Sequence, residues 1–374
     1  MPAILTVDSG DSKPESDSNE FRVAMLFALH LQENSNISIW IAPDDQRLIP
    51  RVRIVADKST VIELTASVYW QAVKDVGWHT TGQCGFDIGA VAVPGYSADS
   101  DIDIRDYETN FLLYRRSKSL NNIAARLVYL DYKITQNDPL KETLISQFQI
   151  SHTNLRNIDN NALRCMFGNT DIKSSFAYGE LEYEKFIDVL DGDRFIRAVL
   201  ICDPFIELAT RILWLRSRAE LALNPAQAWR IEHIAAPCAF ATDLDFGNPV
   251  LLKRAFSGID EESADFLSNP ITRCLGYNPK HGKLGPTHWH AAVQNISRFE
   301  VVGHAEYYDS FAATLFDRLG IERPLPERRA EPKRVLELAD LLRRMKEVDP
   351  LIEMDLELNE RVLSVIRKHW SPGA

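Results

Sequence analysis

Beyond residue 110 this chain alternates apolar runs with helical patterns, and that alternation limits the folds open to it more than any other feature. Phe195–Cys202, apolar apart from Arg197, reads as a buried strand, and Phe299–Gly303 reads as another. Asp203-Pro204 supplies an N-cap and a proline at the first helical position, so a helix is expected over Phe205–Leu221. A second helix is expected over Tyr308–Leu319. Strands that alternate with helices in this way imply a parallel sheet with helices on both faces.

The stretch Asn110–Leu127 joins an apolar run, a basic and hydroxyl-rich segment and an amphipathic pattern. Phe111–Tyr114 reads as a buried strand, and an amphipathic pattern from Asn121, with Ile123, Leu127 and Leu130 on one face, reads as a helix. Between them stand Arg115, Arg116, Ser117, Lys118 and Ser119. Free N–H groups at a helix start favour an anion, so a phosphate or sulfate pocket is one reading. A solvated turn after an edge strand is the other. The helical reading extends over Leu127–Phe148, with a break before Pro139.

Residues 21–107 have a different character. Ile37–Ile41, Val52–Val55, Val61–Leu64 and Asp101–Arg105 are short, partly alternating runs, punctuated by Gly77, Gly82, Gly85 and Gly89. A small β-sandwich-like domain is expected there, after a polar tail at residues 1–20, with an α/β domain over 108–374. The tail from Glu331 to Lys368 is helical by pattern and reads as packing.

The formal charge of −11 argues against broad nucleic-acid or anionic-membrane binding. With no apolar run of membrane-spanning length and no signal-like N-terminus, a cytoplasmic protein with no integral membrane segment is expected. Five dispersed cysteines without a CxxC pair suggest reduced core thiols. His288 and His290 form a close pair without ligand-spaced partners, so no metal is expected.

The order of these pieces resembles the PAPS-dependent sulfotransferases, in the carbohydrate-type branch of bacterial and Golgi enzymes. The resemblance spans residues 108–365. Those proteins open the domain with a strand and a Pro-Lys-Thr-Gly-Gly-Thr-Ser loop, a place taken here by Arg115–Asn121. Their Leu-Arg-Asp-Pro segment is similar to Ile201-Cys202-Asp203-Pro204, and Thr210 falls near their 3′-phosphate serine. Asn269-Pro-Ile-Thr-Arg-Cys-Leu-Gly276, Val301–Ser310 and Asp355–Val362 look like three further family segments. The departures are a loop without glycines, Arg116 for the loop lysine and Cys202 for the arginine before Asp-Pro.

The resemblance implies a P-loop-like α/β sulfotransferase domain that moves a sulfuryl group from PAPS, without a metal, to a carbohydrate or glycolipid hydroxyl. Such a reaction rests on alignment and electrostatic stabilisation. It assigns the 5′-phosphate to Arg116, assisted by Arg115, Ser117, Lys118 and Ser119, and the 3′-phosphate to Thr210 and Arg211, with Arg273 within reach. Glu180 and then His152 are the candidate bases, with His288 and His290 as alternatives on a long loop over Gly276–Trp289. A degenerate relative that binds a glycan or a protein, and a transferase with another nucleotide donor, fit the same residues.

Overall fold

The computed structural model describes residues 23–32, 35–57, 59–117, 122–192, 194–222 and 228–370. The polar tail, Lys118 and Ser119 lie outside them. The chain divides into two compact units, one of residues 1–127, 144–178 and 189–195, the other of residues 128–143, 179–188 and 196–374.

The first unit contains two four-stranded antiparallel sheets. One runs β1 (Met25–Leu31), β2 (Ile37–Pro43), β6 (Gln83–Ile88), β5 (Val68–Tyr69); the other runs β4 (Thr60–Thr65), β3 (Arg51–Ala56), β7 (Ile102–Asp106), β8 (Leu112–Arg116). Their strands alternate as the sequence does: Val52, Ile54 and Ala56 of β3 are buried while Arg51, Arg53 and Val55 are not. Phe27 of the first sheet meets Phe111, just before β8, edge to face at 5.7 Å.

The expected boundary at residue 107 therefore falls inside a hairpin. β7 and β8 pair antiparallel, with Asp103 opposite Arg115 and Ile102 opposite Arg116. Phe111–Tyr114 does not open the parallel sheet, and Arg126–Leu130, expected to be helical, is a strand, β9. The reason is burial. All five residues of β9 are enclosed, so after Arg126 it shows an unbroken run, Leu127–Leu130, instead of alternation, and Leu127 and Leu130 mimic helical spacing.

A five-stranded parallel sheet follows, in the order β10 (Ile150–Thr153), β11 (Ser175–Gly179), β9, β12 (Ile196–Ile201), β13 (Val301–His304). Its first strand in the chain, β9, is central in that order. β10 and β11 take one side, β12 and β13 the other, which makes the end of β9 a topological switch point.

In the second unit β12 leads into the helix Pro204–Ala222, and β13 leads through a 3-10 turn into the helix Tyr308–Leu319. That packing explains Gly303, where a Cβ would stand 2.4 Å from the Phe311 ring. Gly276 is required likewise, since a Cβ there would lie 2.1 Å from the His288 carbonyl. The expected loop over Gly276–Trp289 is shorter than the sequence suggests, because a helix already begins at Pro286. The C-terminal pattern resolves into Lys333–Leu342 and Asp349–Trp370, which contribute Val335, Leu338, Leu342 and Ile352 to one apolar core with Leu208, Ile212 and Leu215. Among the described residues no helix is long and apolar enough to cross a membrane.

Candidate functional site

Ligands of open parallel sheets bind beyond the carboxyl ends of the strands, where the strand order reverses. In the second unit that edge is made by Asp131-Tyr132-Lys133 after β9, Glu180 after β11, and Cys202-Asp203 after β12. Glu207 and Arg211, from the first turns of the Pro204–Ala222 helix, complete it.

The groups hold one another. Arg211 Nε donates to Glu207 Oε1 at 2.7 Å, and Arg211 Nη2 donates to the Tyr132 carbonyl at 2.8 Å. Glu207 Oε1 also accepts the Ile134 N–H at 3.1 Å. Both side chains of the Arg211–Glu207 pair are buried. Burial pushes the Glu207 carboxyl up to about 7, against the pull of Arg211. Tyr132 is fully enclosed, and its hydroxyl accepts the Cys202 N–H at 2.7 Å and donates to Cys202 Sγ at 3.2 Å. Burial, reinforced by Glu207, holds the Cys202 thiol well above its ordinary range, so it is not a nucleophile.

Lys133 is a further cation of this edge, in a segment that the sequence alone reads as helix. Its ammonium lies 3.8 Å from Asp131 Oδ2, and 22 % of its side chain is exposed. Burial alone would lower its pKa, but Asp131, Asp138, Cys202 and Glu207 outweigh that and hold it protonated. Asp138 in turn accepts from the Tyr129 hydroxyl, from Tyr308 Oη at 3.0 Å and from the Leu140 N–H at 2.9 Å.

Of the expected site residues, the structure brings Arg211 and Glu180 to this edge. Glu180 is within electrostatic reach of both Arg211 and Cys274. Thr210 spends its hydroxyl on the Ile206 carbonyl one turn back, at 2.8 Å. Arg273 pairs with Asp265 at 2.7 Å and lies over the Tyr277 ring.

Arg115, Arg116, Ser117 and His152 belong to the first unit. Arg115 makes a two-pronged contact with Asp103, at 2.6 and 2.7 Å. Arg116 donates to the Ser100 and Ser97 carbonyls at 3.1 and 2.8 Å and lies over the Tyr96 ring. Both stand at the end of an antiparallel edge strand, with Ser117 just beyond it. His152 stacks on Phe111 at 4.4 Å, and burial, with Arg105 nearby, pushes its pKa down to about 3, too low for a useful base. His288 serves its own helix: Nδ1 accepts the Gly285 N–H, and Nε2 faces the Asn278 carbonyl at 3.1 Å. His290 is exposed on that helix.

The sequence segments behind the resemblance form a clasp. Asp355, fully buried, accepts the Ile271 N–H at 2.9 Å, the Thr272 N–H at 2.8 Å and the Thr272 hydroxyl at 2.7 Å. Asn269, in the left-handed region at φ 44°, accepts the Asp355 N–H at 3.1 Å. His304 accepts the Glu306 N–H at Nδ1, so its Nε2–H faces Asn359 Oδ1, at 3.0 Å. These residues tie the last helix to the start of the Pro270–Gly276 helix and to the end of β13.

No family model matches the chain, and no curated protein matches it.

Proposed function

We propose that the carboxyl edge of the parallel sheet is a donor site closed by its own side chains. On this reading the chain keeps the plan of a sulfotransferase-type domain and works by binding, without moving a sulfuryl group from PAPS. The observation that carries it is the commitment of Arg211 to Glu207 and to the Tyr132 carbonyl, beside a Tyr132 hydroxyl bonded to Cys202. A bisphosphate nucleotide would need those cations. Releasing Arg211 leaves Glu207 buried and unpaired, at a cost of about 3–5 kcal/mol. That is a loss of more than about 100-fold in affinity, at about 1.4 kcal/mol per tenfold. Lys133 offers little relief, because Asp131, Asp138 and Glu207 already surround it with negative charge.

Titration with adenosine 3′,5′-bisphosphate, followed by calorimetry and by the melting temperature, tests the proposal. The expected result is neither heat nor a shift. Micromolar binding would overturn it.

One observation favours the second reading, a working sulfotransferase. Lys133 follows β9, the first strand of the parallel sheet in the chain, as the loop lysine of the resembling proteins follows their first strand, a place that the sequence assigned to Arg116, and its side chain is partly exposed. In that case Lys133 would hold the 5′-phosphosulfate and Glu180 would take the proton of a glycan hydroxyl. Sulfated product from the native chain, lost in Lys133→Met, is the result that would install this reading in place of the first.

A further inference from the structure

A sheet ends in strands whose outer N–H and C=O groups lack a neighbouring strand, and proteins cover or blunt such edges because any extended chain can pair there. Three of the four edges of the two antiparallel sheets are dealt with in this way. Along β1 the Phe27 N–H donates to Cys165 Sγ at 3.4 Å and the Leu31 N–H to Asp171 Oδ2 at 3.2 Å. β5 has only two residues. The Arg115 carbonyl of β8 accepts from Gln149 Nε2 at 2.5 Å. The fourth edge, β4, is open.

β4 reads Thr60-Val-Ile-Glu-Leu-Thr65, a run of good strand formers with a single charge. It has neither lysine nor proline, and its pairing with β3 contains no bulge. None of its residues is buried, although Val61, Ile62 and Leu64 are among them, and Val61 is 44 % exposed. Such an edge accepts another strand.

The ladder fixes which groups β4 offers. The Pro50 carbonyl accepts the Ala66 N–H at 2.9 Å, one step beyond the Arg51–Thr65 pair. Hydrogen-bonded and non-bonded pairs alternate along antiparallel strands, so Thr60, Ile62 and Leu64 turn their backbone groups to β3. Val61, Glu63 and Thr65 turn theirs outward, where no described residue meets them. Only an extended chain matches donors and acceptors at that spacing.

The side chains select which chain. Ile62 and Leu64 lie in rows with the buried Ile54 and Val52, on the core face of the sheet. Val61 and Glu63 lie in rows with Val55 and Arg53 on the other face, with Glu63 Oε1 at 3.5 Å from Arg53 Nη2. A second copy laid antiparallel, with the twofold axis between the two Ile62 residues, sets Val61 opposite Glu63 and Thr60 opposite Leu64. One face then reads Ile54, Ile62, Ile62, Ile54 across the four strands, and the other reads Arg53, Glu63, Val61, Val55. The apolar face continues from copy to copy, and no like charges stand opposite each other. The register centred on Glu63 would set two carboxylates face to face and is disfavoured.

We propose that β4 pairs with β4 of a second copy of this chain, joining their four-stranded sheets into one. The inference concerns the first unit alone and stands or falls separately from the donor edge. A pairing of about five residues on each side is smaller than the interface of an obligate dimer, so the dimer is reversible.

Sedimentation equilibrium of the full chain, in about 0.15 M salt to screen its net charge, tests the proposal. A monomer–dimer equilibrium with a midpoint at or below about 100 μM is expected. Val61→Pro removes an outward N–H and leaves the ladder to β3 whole, so it is expected to weaken the dimer by about tenfold or more at a similar melting temperature. Ile62→Lys, which brings two ammonium groups together at the axis, is expected to do the same, and should it fail to fold, Val61→Pro carries the comparison. The Ile62 pair is a non-bonded one, with Cα atoms about 4.5 Å apart and within disulfide reach. Mild oxidation is therefore expected to cross-link Ile62→Cys and not Leu64→Cys, which faces Thr60. The proposal is overturned if the chain stays monomeric at about 300 μM, well above the expected midpoint. A dimer of undiminished strength in Val61→Pro, held by another face, would overturn it too, as would cross-linking of Leu64→Cys in preference to Ile62→Cys.

Discussion

His152, buried in the first unit, and Glu207 and Asp355, buried in the second, respond to pH in opposite directions. Burial resists whichever form is charged. It lowers His152 to about 3 and raises Glu207 to about 7 and Asp355 to about 6. His152 has an aromatic neighbour, Phe111, and remains a neutral ring. The carboxylates have built partners, namely Arg211 for Glu207 and the Thr272 hydroxyl and two backbone N–H groups for Asp355. A residue type that suggests catalysis thus serves packing in one unit and a polar clasp in the other.

The largest test of this contrast lies in the clasp. Asp355→Ala orphans two backbone donors and a hydroxyl, and about 3 kcal/mol or more of stability is expected to go. Guanidinium unfolding measures it, and a loss under about 1 kcal/mol would deny the clasp its role. Arg211→Met leaves Glu207 unpaired and is expected to cost about 3–5 kcal/mol, with most of that recovered in Arg211→Met/Glu207→Leu.

The pH responses come next. For His152 the folded value lies below the unfolded one of about 6.5, so its contribution is complete above that pH and is lost as pH falls. The stability advantage of the native chain over His152→Phe should shrink by up to about 1.4 kcal/mol per pH unit below 6.5. For Glu207 the folded value lies above the unfolded one of about 4.3. The unfolded chain then releases its proton first, and the advantage over Glu207→Gln should shrink as pH rises from about 4.3 to 7. Denaturant midpoints across that range measure both, and slopes of the same sign would break the comparison.

The smallest effect belongs to the half-exposed pair on β7 and β8. Arg115→Met is expected to cost about 0–1 kcal/mol, and less at high salt. A loss like that of Arg211→Met would show that the two ion pairs are equivalent after all.

Several elements were legible in the sequence. Asp203-Pro204 announced its helix, Tyr308–Leu319 matched its helix throughout, and the short alternating runs Val52–Val55 and Val61–Leu64 became β3 and β4. Arg126–Leu130 was misread because a strand buried on both faces loses the alternation that marks a strand. Its length and its Val128-Tyr129 content were the available signals, since short runs rich in β-branched and aromatic residues favour strands. With β9 taken for a helix, Lys133 could not be seen as the residue beyond a strand end. The basic run at Arg115–Ser119 stood out in its place, because cations in a row are visible in one dimension and their partners are not.

Local pattern determined where several elements begin, among them β3, β4 and the helices starting at Pro204 and Tyr308, since side-chain periodicity and capping act over a few residues. Only the tertiary structure decided which strand stands in the middle of the parallel sheet and which cation meets which carboxylate. Those outcomes depend on contacts between residues such as Arg211 and Tyr132, or Asp355 and Thr272, that lie about 80 positions apart in the chain.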